Sequence, residues 1–174
     1  IYIVIIMSFI NSQMITSKLI LDSKDINNDI DNTIKHKLKD KNEGKCYEDG
    51  YIVKDSIQIL KRSIGKVVTT NNKSQIKYLV TYQANVISPS DGDRIEVIIN
   101  NINKMGVLSY IKLNKKEIET HEDSPIIIMI PREYFNESSR NIDDLTNGQK
   151  IEVIVVGCRI RYGSDKIQVI AKPI

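Results

Sequence analysis

The sequence has no tryptophan, and its 174 residues include only two phenylalanines, two histidines and two cysteines. Cys46 and Cys158 lie far apart and neither belongs to a Cys-x-x-Cys pair, which argues against a zinc site or a disulfide framework and favours a reducing compartment. The apolar run at residues 1–6 is far too short to span a bilayer. No methionine precedes that run, and we expect translation to begin at Met7 or Met14.

Catalytic motifs are also missing. The sequence contains no GxGxxG, P-loop, GxSxG or HExxH pattern. His36 and His121 are predicted to lie at the surface, without the partner and pocket that a catalytic histidine needs. Asp91-Gly92-Asp93 is better explained as a turn than as a cation site, because it lacks the longer acidic array of a calcium loop. The sequence therefore predicts a protein that is not an enzyme, with no cofactor and no bound metal.

Charge is unevenly distributed along the chain, whose net charge is +3. Residues 1–89 carry 13 basic and 9 acidic side chains, whereas residues 90–174 carry 12 basic and 13 acidic ones. A protein that binds nucleic acid mainly by neutralising phosphates is usually more basic. Any contact with RNA is therefore expected to be weak and to use a local patch.

The first half has the pattern of a strand, a helix and an antiparallel meander. Residues 15–21 alternate as a strand does, and Ser23 is a suitable N-cap for the helix that follows. The predicted apolar stripe of this helix consists of Ile26, Ile30, Ile34 and Leu38. Gly44 is placed to end the helix. Residues 51–60, 64–70 and 75–86 then have the composition of strands.

The second half has the pattern of a five-stranded barrel. A Pro and Gly turn region at residues 88–92 divides the chain into an N-terminal tip module, 14–89, and a barrel domain, 90–174. The predicted barrel strands are 94–102, 106–113, 125–130, 149–160 and 166–172, with a helical turn at 132–135. Five strands with a helical turn between the third and fourth form the OB arrangement. The predicted class is therefore α+β.

An OB barrel typically binds oligonucleotides through its second and third strands and the neighbouring loops. That face would include Tyr110 and Lys112, with Lys104 in the first turn. Arg159, Arg161 and Lys166 flank the last hairpin, and such cations can contact phosphates. The alternative is that these cations only keep the hairpin soluble.

The order of several segments resembles the seventh subunit of RNA polymerase II and its archaeal counterpart. The resemblance covers the chain from about Met14 to the end. The segments that carry it are 31–38 (DNTIKHKL), 43–46 (EGKC), 49–52 (DGYI), 78–86 (YLVTYQANV), 103–106 (NKMG) and 156–160 (VGCRI). No one segment is specific, but the ordered set also includes the N-terminal module, which another OB protein would not share.

The resemblance implies a non-catalytic stalk subunit. In that family the tip docks at the base of the polymerase clamp. The barrel is of the ribosomal-protein-S-one type and projects near the RNA exit. The partner of the subunit is the fourth subunit. Carried over by position, the docking residues are Glu43, Gly44, Lys45, Cys46, Asp49, Gly50 and Tyr51. The RNA-facing residues are Lys104, Tyr110, Lys112, Arg132, Arg159, Arg161 and Lys166. The expected location is the nucleus, or a viral factory or virion if the gene is viral, and not outside the cell.

The sequence also departs from the family. Met105 and Leu108 stand where such barrels commonly place aromatic side chains, and losing a stacking platform costs about 1–3 kcal/mol per base. RNA binding is therefore expected to be weak, and the departures are typical of a divergent copy from a large DNA virus or an AT-rich eukaryote. The stalk subunits of polymerases I and III are near alternatives. A free-standing OB-fold factor that binds single-stranded RNA in translation or RNA decay is a more distant one.

Overall fold

A computed structural model describes residues 9–113 and 120–174, and the contacts within it divide the chain into two compact units. The first, here called the helix-sheet unit, comprises Asn11–Gly44 and Ile52–Val86. The second, the barrel unit, comprises Ile87–Ile174, Lys45–Tyr51 and the described end of Ile1–Ile10. The fold is α+β with a closed five-stranded barrel, as the sequence predicts.

The N-terminal sheet is organised around one long strand. Its elements are β1 (Ile10–Asp22), α1 (Ile30–Asn42), β2 (Cys46–Tyr47), β3 (Gly50–Ile52), β4 (Gln58–Arg62), β5 (Lys66–Thr70) and β6 (Lys73–Ile87). The strand order is β1-β6-β3-β2, and β4 and β5 also pair with β6 in antiparallel fashion. From Tyr78 to Val86, β6 alternates between buried and exposed residues except at Thr81, which is also buried, as expected for a strand with one covered face.

Helix α1 begins later than the sequence predicts. Ser23 is not its N-cap but the first residue of a separate 3-10 turn, Ser23–Asp25. The N-cap is Asp29, whose carboxylate accepts a hydrogen bond from the backbone N–H of Asn32 at 3.4 Å. Both residues are good N-caps, and Asp29 is favoured because Asn27 accepts a hydrogen bond from its N–H at 2.9 Å. The C-terminal prediction is confirmed, since Gly44 follows the helix with φ of 70°.

The core of the helix-sheet unit lies between α1 and one face of the sheet. Ile34 and Leu38 of the predicted stripe are fully buried, as is Tyr82 of β6. The side-chain amide of Asn42 donates a hydrogen bond to the hydroxyl of Tyr82 at 2.9 Å. This bond satisfies two polar groups that burial would otherwise penalise. Ile26, the first residue of the predicted stripe, is 37% exposed and precedes the helix.

The barrel follows the predicted order closely. Its elements are β7 (Arg94–Asn103), β8 (Gly106–Tyr110), β9 (Ile126–Pro131), α2 (Glu133–Asn136), β10 (Lys150–Arg159) and β11 (Ile167–Pro173). The closed order is β10-β11-β9-β8-β7, with β11 parallel to β9 and the other pairs antiparallel. This order, with α2 between the third and fourth strands, is the OB arrangement.

Alternating aliphatic residues fill the barrel interior. Ile126, Ile128 and Ile130 of β9 and Val153 and Val155 of β10 are all fully buried. The residues between them face outward, which is the period of two expected for a strand with one covered face. Within the described residues, no helix has both the length and the apolar character that crossing a membrane requires.

Candidate docking and nucleic-acid surfaces

The residues predicted to dock onto a polymerase centre on a short hairpin. Strands β2 and β3 pair through Cys46 with Tyr51 and Tyr47 with Gly50, which leaves Glu48 and Asp49 at the turn. We call residues 46–51 the docking hairpin. By its contacts, the docking hairpin belongs to the barrel unit and not to the helix-sheet unit, although it falls inside the predicted tip module.

Two backbone hydrogen bonds and a ring contact join this hairpin to the loop between β10 and β11. The N–H of Cys46 donates to the carbonyl of Ser164 at 2.7 Å, and the N–H of Gly163 donates to the carbonyl of Cys46 at 2.8 Å. The rings of Tyr47 and Tyr162 lie 5.8 Å apart at an angle of 50°, a tilted arrangement that aromatic pairs favour. The backbone and the side chains of the hairpin therefore both contact the loop between β10 and β11.

Burial raises the pKa of three acidic groups in the docking hairpin. Desolvation raises the pKa of the Cys46 thiol, and the charge of Asp165 adds to this effect. Desolvation is also the main cause of the raised pKa of the Tyr51 and Tyr47 phenols. Each of these side chains is therefore held in its neutral, protonated form at neutral pH, which is not what a reactive thiolate requires.

The seven predicted docking residues do not form one exposed loop. Cys46, Gly50 and Tyr51 are buried, while Lys45 and Asp49 are exposed. Glu43 and Gly44 belong to the helix-sheet unit, where a carboxylate oxygen of Glu43 accepts a hydrogen bond from the N–H of Ile57 at 3.1 Å. The exposed side chains available to a partner here are those of Asp49 and the neighbouring Glu48, which the predicted set did not include.

Five of the seven RNA-facing candidates lie at one end of the barrel. Strand register places the last residue of β8, Tyr110, beside Ile127 and the start of β11 beside the start of β9. This end, the β10–β11 end, contains Tyr110, Lys112, Arg159, Arg161 and Lys166. The other two candidates, Lys104 and Arg132, lie at the opposite, β7–β8 end, where the N–H of Arg132 donates to the carbonyl of Met105 at 3.0 Å. The seven therefore do not make a single patch.

Some of these cations already interact with other groups of the chain. The ammonium group of Lys166 donates to the carbonyls of His121 and Glu122 at 2.9 and 2.7 Å. Arg132 lies 3.8 Å from the carboxylate of Asp143. By contrast, Arg159 and Arg161 are exposed and neither forms an ion pair with a described residue. Lys112 is exposed and unpaired in the same sense, so these two arginines and Lys112 are the cations available to a phosphate at the β10–β11 end.

An apolar groove on the outer surface of the barrel was not predicted from the sequence. It has a volume of about 570 Å³, and Ile127, Met129 and Ile170 are among the residues that line it. Gly157 contributes no side chain, and a Cβ there would meet no atom within 4 Å. Arg159 lines the same groove. The sequence signal was the apolar character of outward positions in β9 and β11, where alternation alone leads one to expect polar residues.

The described residues contain no group of three or more His, Cys, Asp or Glu side chains that could hold a metal ion. His36 and His121 are both exposed, as predicted, and the ring of His121 lies edge-on to Tyr110 with centroids 6.3 Å apart. Both cysteines are free thiols.

The fold defines an α+β protein with an OB-type barrel, a class that includes many oligonucleotide-binding proteins. Neither the comparison with protein-family models nor the comparison with curated proteins finds a match to the chain.

Proposed function

We propose that the chain is a non-catalytic stalk subunit of a multisubunit DNA-directed RNA polymerase that takes part in transcription initiation. The observation that carries the proposal is the ordered resemblance to the seventh-subunit family from about Met14 to the end of the chain. The α+β unit and the OB barrel in one chain agree with the two parts that this resemblance implies. In this role the protein supplies binding surfaces, and the core enzyme performs the chemistry.

Docking onto the core polymerase uses the exposed charges of the docking hairpin. Glu48 and Asp49 are exposed, while Cys46 and Tyr51 are 3% and 5% exposed. The buried residues fix the direction of the hairpin and the charged residues meet the partner. A rigid hairpin loses little conformational entropy on binding, which favours association.

Contact with nascent RNA is a secondary role of the barrel. Arg159 and Arg161 are available to phosphates, and Tyr162, 66% exposed, provides a ring at the same end. One exposed ring, two arginines and Lys112 give few stacking and phosphate contacts. The RNA contact is therefore weak, and a fourth-subunit stalk partner and the core subunits are the main partners. The place of action is the nucleus or, for a viral protein, the viral factory or virion.

The decisive experiment is purification of the tagged chain from its own cells or infected cells, followed by mass spectrometry. We expect the large subunits of one polymerase in stoichiometric amounts, and their identity also distinguishes polymerases I, II and III from a viral enzyme. Absence of all polymerase subunits overturns the proposal. Recovery with ribosomes or RNA-decay enzymes instead supports the free-standing RNA-binding factor.

A pair of charge-reversal variants tests the docking hairpin. Glu48→Lys with Asp49→Lys changes only exposed side chains, so we expect the polymerase subunits to be lost from a correctly folded protein. The control, Glu133→Lys with Glu137→Lys, makes the same charge change at exposed positions of the α2 region and should leave association intact. Deletion of the whole hairpin is a poorer test because it removes the buried Cys46. Equal recovery with both variants would place the docking site elsewhere.

A further inference from the structure

Among the described residues, one face of the sheet of the helix-sheet unit leaves most of its side chains exposed, and this open face is rich in lysine. α1 covers the face on which Tyr82 lies. The opposite face includes Thr81, whose hydroxyl lies 2.9 Å from that of Thr16 in β1. Alternate residues of a strand share a face, so Lys77 and Leu79 of β6 lie on this open face with Thr81. Leu79 is 44% exposed.

Register adds further lysines to the open face. Lys66 of β5 is directly opposite Lys77, and Lys61 of β4 is directly opposite Thr81. In β1, Lys18 and Ile20 share the face of Thr16 by alternation, and Ile20 is 52% exposed. We call the set Lys18, Ile20, Lys61, Lys66, Lys77 and Leu79 the lysine face.

The lysine face has almost no negative charge to balance it. Residues 56–90 contain four lysines and one arginine and not a single Asp or Glu. The arginine, Arg62, is neutralised by Asp31 of α1, but Lys18, Lys61, Lys66 and Lys77 form no ion pair with a described residue. Asp22 of β1 shares this face by alternation, and its side chain is hydrogen-bonded to Gln75.

The pairing of Lys66 with Lys77 is unfavourable in the isolated chain. Directly opposite residues of an antiparallel pair have Cβ atoms about 4.5–5.5 Å apart, and like charges at this separation destabilise the sheet. A negatively charged partner on this face would remove that repulsion. Such an arrangement, in which the folded state is less stable than it could be, is typical of a surface that binds a partner.

The uncharged residues of the face indicate what kind of partner it fits. Recognition of single-stranded RNA on a sheet uses exposed aromatic rings on which bases stack. Here Tyr78 and Tyr82 are 6% and 0% exposed, and the open face presents the aliphatic side chains of Ile20 and Leu79 instead. Aliphatic side chains next to lysines complement a polypeptide that combines carboxylates with aliphatic residues.

We propose that the lysine face binds an acidic, aliphatic-containing segment of a partner protein. Carboxylates of that segment meet Lys61, Lys66 and Lys77, and its aliphatic side chains cover Leu79 and Ile20. The proposal does not depend on the polymerase assignment, because it rests only on the charge and exposure of this face. If both hold, the face is a second contact with the polymerase or with the stalk partner.

The test measures binding of the full chain to defined probes by fluorescence anisotropy. The probes are a labelled peptide of repeated Asp-Glu-Leu-Ser units, the same peptide with Asn and Gln in place of Asp and Glu, and an oligouridine of equal charge. We expect the acidic peptide to bind most tightly and the neutral peptide most weakly. Tighter binding of oligouridine would overturn the choice of partner, and no binding of the acidic peptide would overturn the proposal.

Matched variants locate the binding. Lys66→Glu with Lys77→Glu should weaken the acidic peptide by about tenfold or more, since it replaces attraction by repulsion. The control, Lys35→Glu with Lys172→Glu, makes the same charge change at exposed positions of α1 and β11 and should change the affinity by less than about threefold. An equal loss in both double variants would show that only net charge matters and would overturn the proposal.

A single variant separates binding from stability. Lys66→Glu converts the repulsive pair with Lys77 into an attractive one. We therefore expect its urea midpoint to rise while its affinity for the acidic peptide falls. A fall in both quantities would show that Lys66 is needed for the sheet itself and would contradict a binding role.

Discussion

Gly106, the first residue of β8, allows two strands of the barrel to approach closely. Its φ is 141°, and a Cβ built there would lie 2.1 Å from the carbonyl oxygen of Ile130. Backbone of β9 cannot withdraw without disturbing the fully buried Ile130. Any side chain at this position would therefore open the barrel where β8 and β9 meet.

We predict that Gly106→Ala lowers the free energy of unfolding by about 2–4 kcal/mol, because it adds a steric conflict to a strained backbone. Urea unfolding followed by circular dichroism measures the change. Gly148→Ala is the control: its φ is 84° but a Cβ there meets no atom within 4 Å, so only the backbone cost of about 1–2 kcal/mol is expected. Equal losses would mean that the contact with Ile130 is relieved by a small shift.

Single-residue features are predictable from the sequence where one local rule decides them. Gly44 ends α1 because a helix end favours a residue with positive φ. The predicted N-cap is wrong because Ser23 and Asp29 both satisfy the local rule. The choice depends on Asn27, which holds the N–H of Asp29, and composition alone does not rank such hydrogen bonds.

At the scale of elements, the docking hairpin is the most informative segment. The prediction of one strand over residues 51–60 is wrong, because the structure has two separate strands there, β3 and β4, with residues 53–57 between them, and β2 was not predicted at all. The attachment of the docking hairpin to residues 163 and 164 was not predictable, because those hydrogen bonds join positions more than a hundred residues apart in the sequence. The pairing of β2 with β3 can be inferred from residues that are close in the sequence, whereas this attachment can be inferred only once the closed barrel is known.

The hairpin also predicts how stability depends on pH. Cys46, Tyr47 and Tyr51 all have a raised pKa in the folded protein, mainly through desolvation. As the pH rises above the ordinary values, about 8.5 for a thiol and 10 for a phenol, the unfolded chain loses these protons first. The folded state then binds more protons than the unfolded state, so the free energy of unfolding falls with rising pH.

We therefore expect urea unfolding of the wild type to show a steady loss of stability between about pH 8 and pH 11. Tyr51→Phe removes one of the three groups and should lose less stability over the same range. Its difference from the wild type isolates Tyr51 from the lysines and other tyrosines that also titrate there. A difference that stays constant with pH would contradict the assigned role of burial.

At the scale of the whole molecule, the sequence predicts architecture better than sites. All five barrel strands and their order follow from alternation and turn residues, and the structure confirms them. The sequence predicts the RNA-facing residues as one group from their positions in an OB barrel. The structure divides them between two opposite ends of the barrel. Lys166 and Arg132 are also paired with groups that no sequence pattern identifies.

The distribution of charge over the molecule leads to a prediction about RNA. We expect Arg159→Ala with Arg161→Ala to reduce crosslinking to single-stranded RNA several-fold and to lower the dependence of binding on salt, because two available cations are removed. Lys104→Ala with Arg132→Ala removes the same charge at the β7–β8 end and should have a smaller effect. Equal effects would indicate that RNA responds to net charge and does not select the β10–β11 end.

The position of β6 in the chain has a consequence for synthesis. β6 pairs with β1, β3, β4 and β5, yet it follows all of them in the sequence. The hydroxyls of Thr16 and Thr81, which face each other across β1 and β6, are 65 positions apart, and contacts between distant residues form slowly. During synthesis, the edges of β1, β3, β4 and β5 that pair with β6 therefore stay unpaired until Lys73–Ile87 leave the ribosome. The sheet then forms in one late step, which leaves time for chaperones to bind the nascent chain.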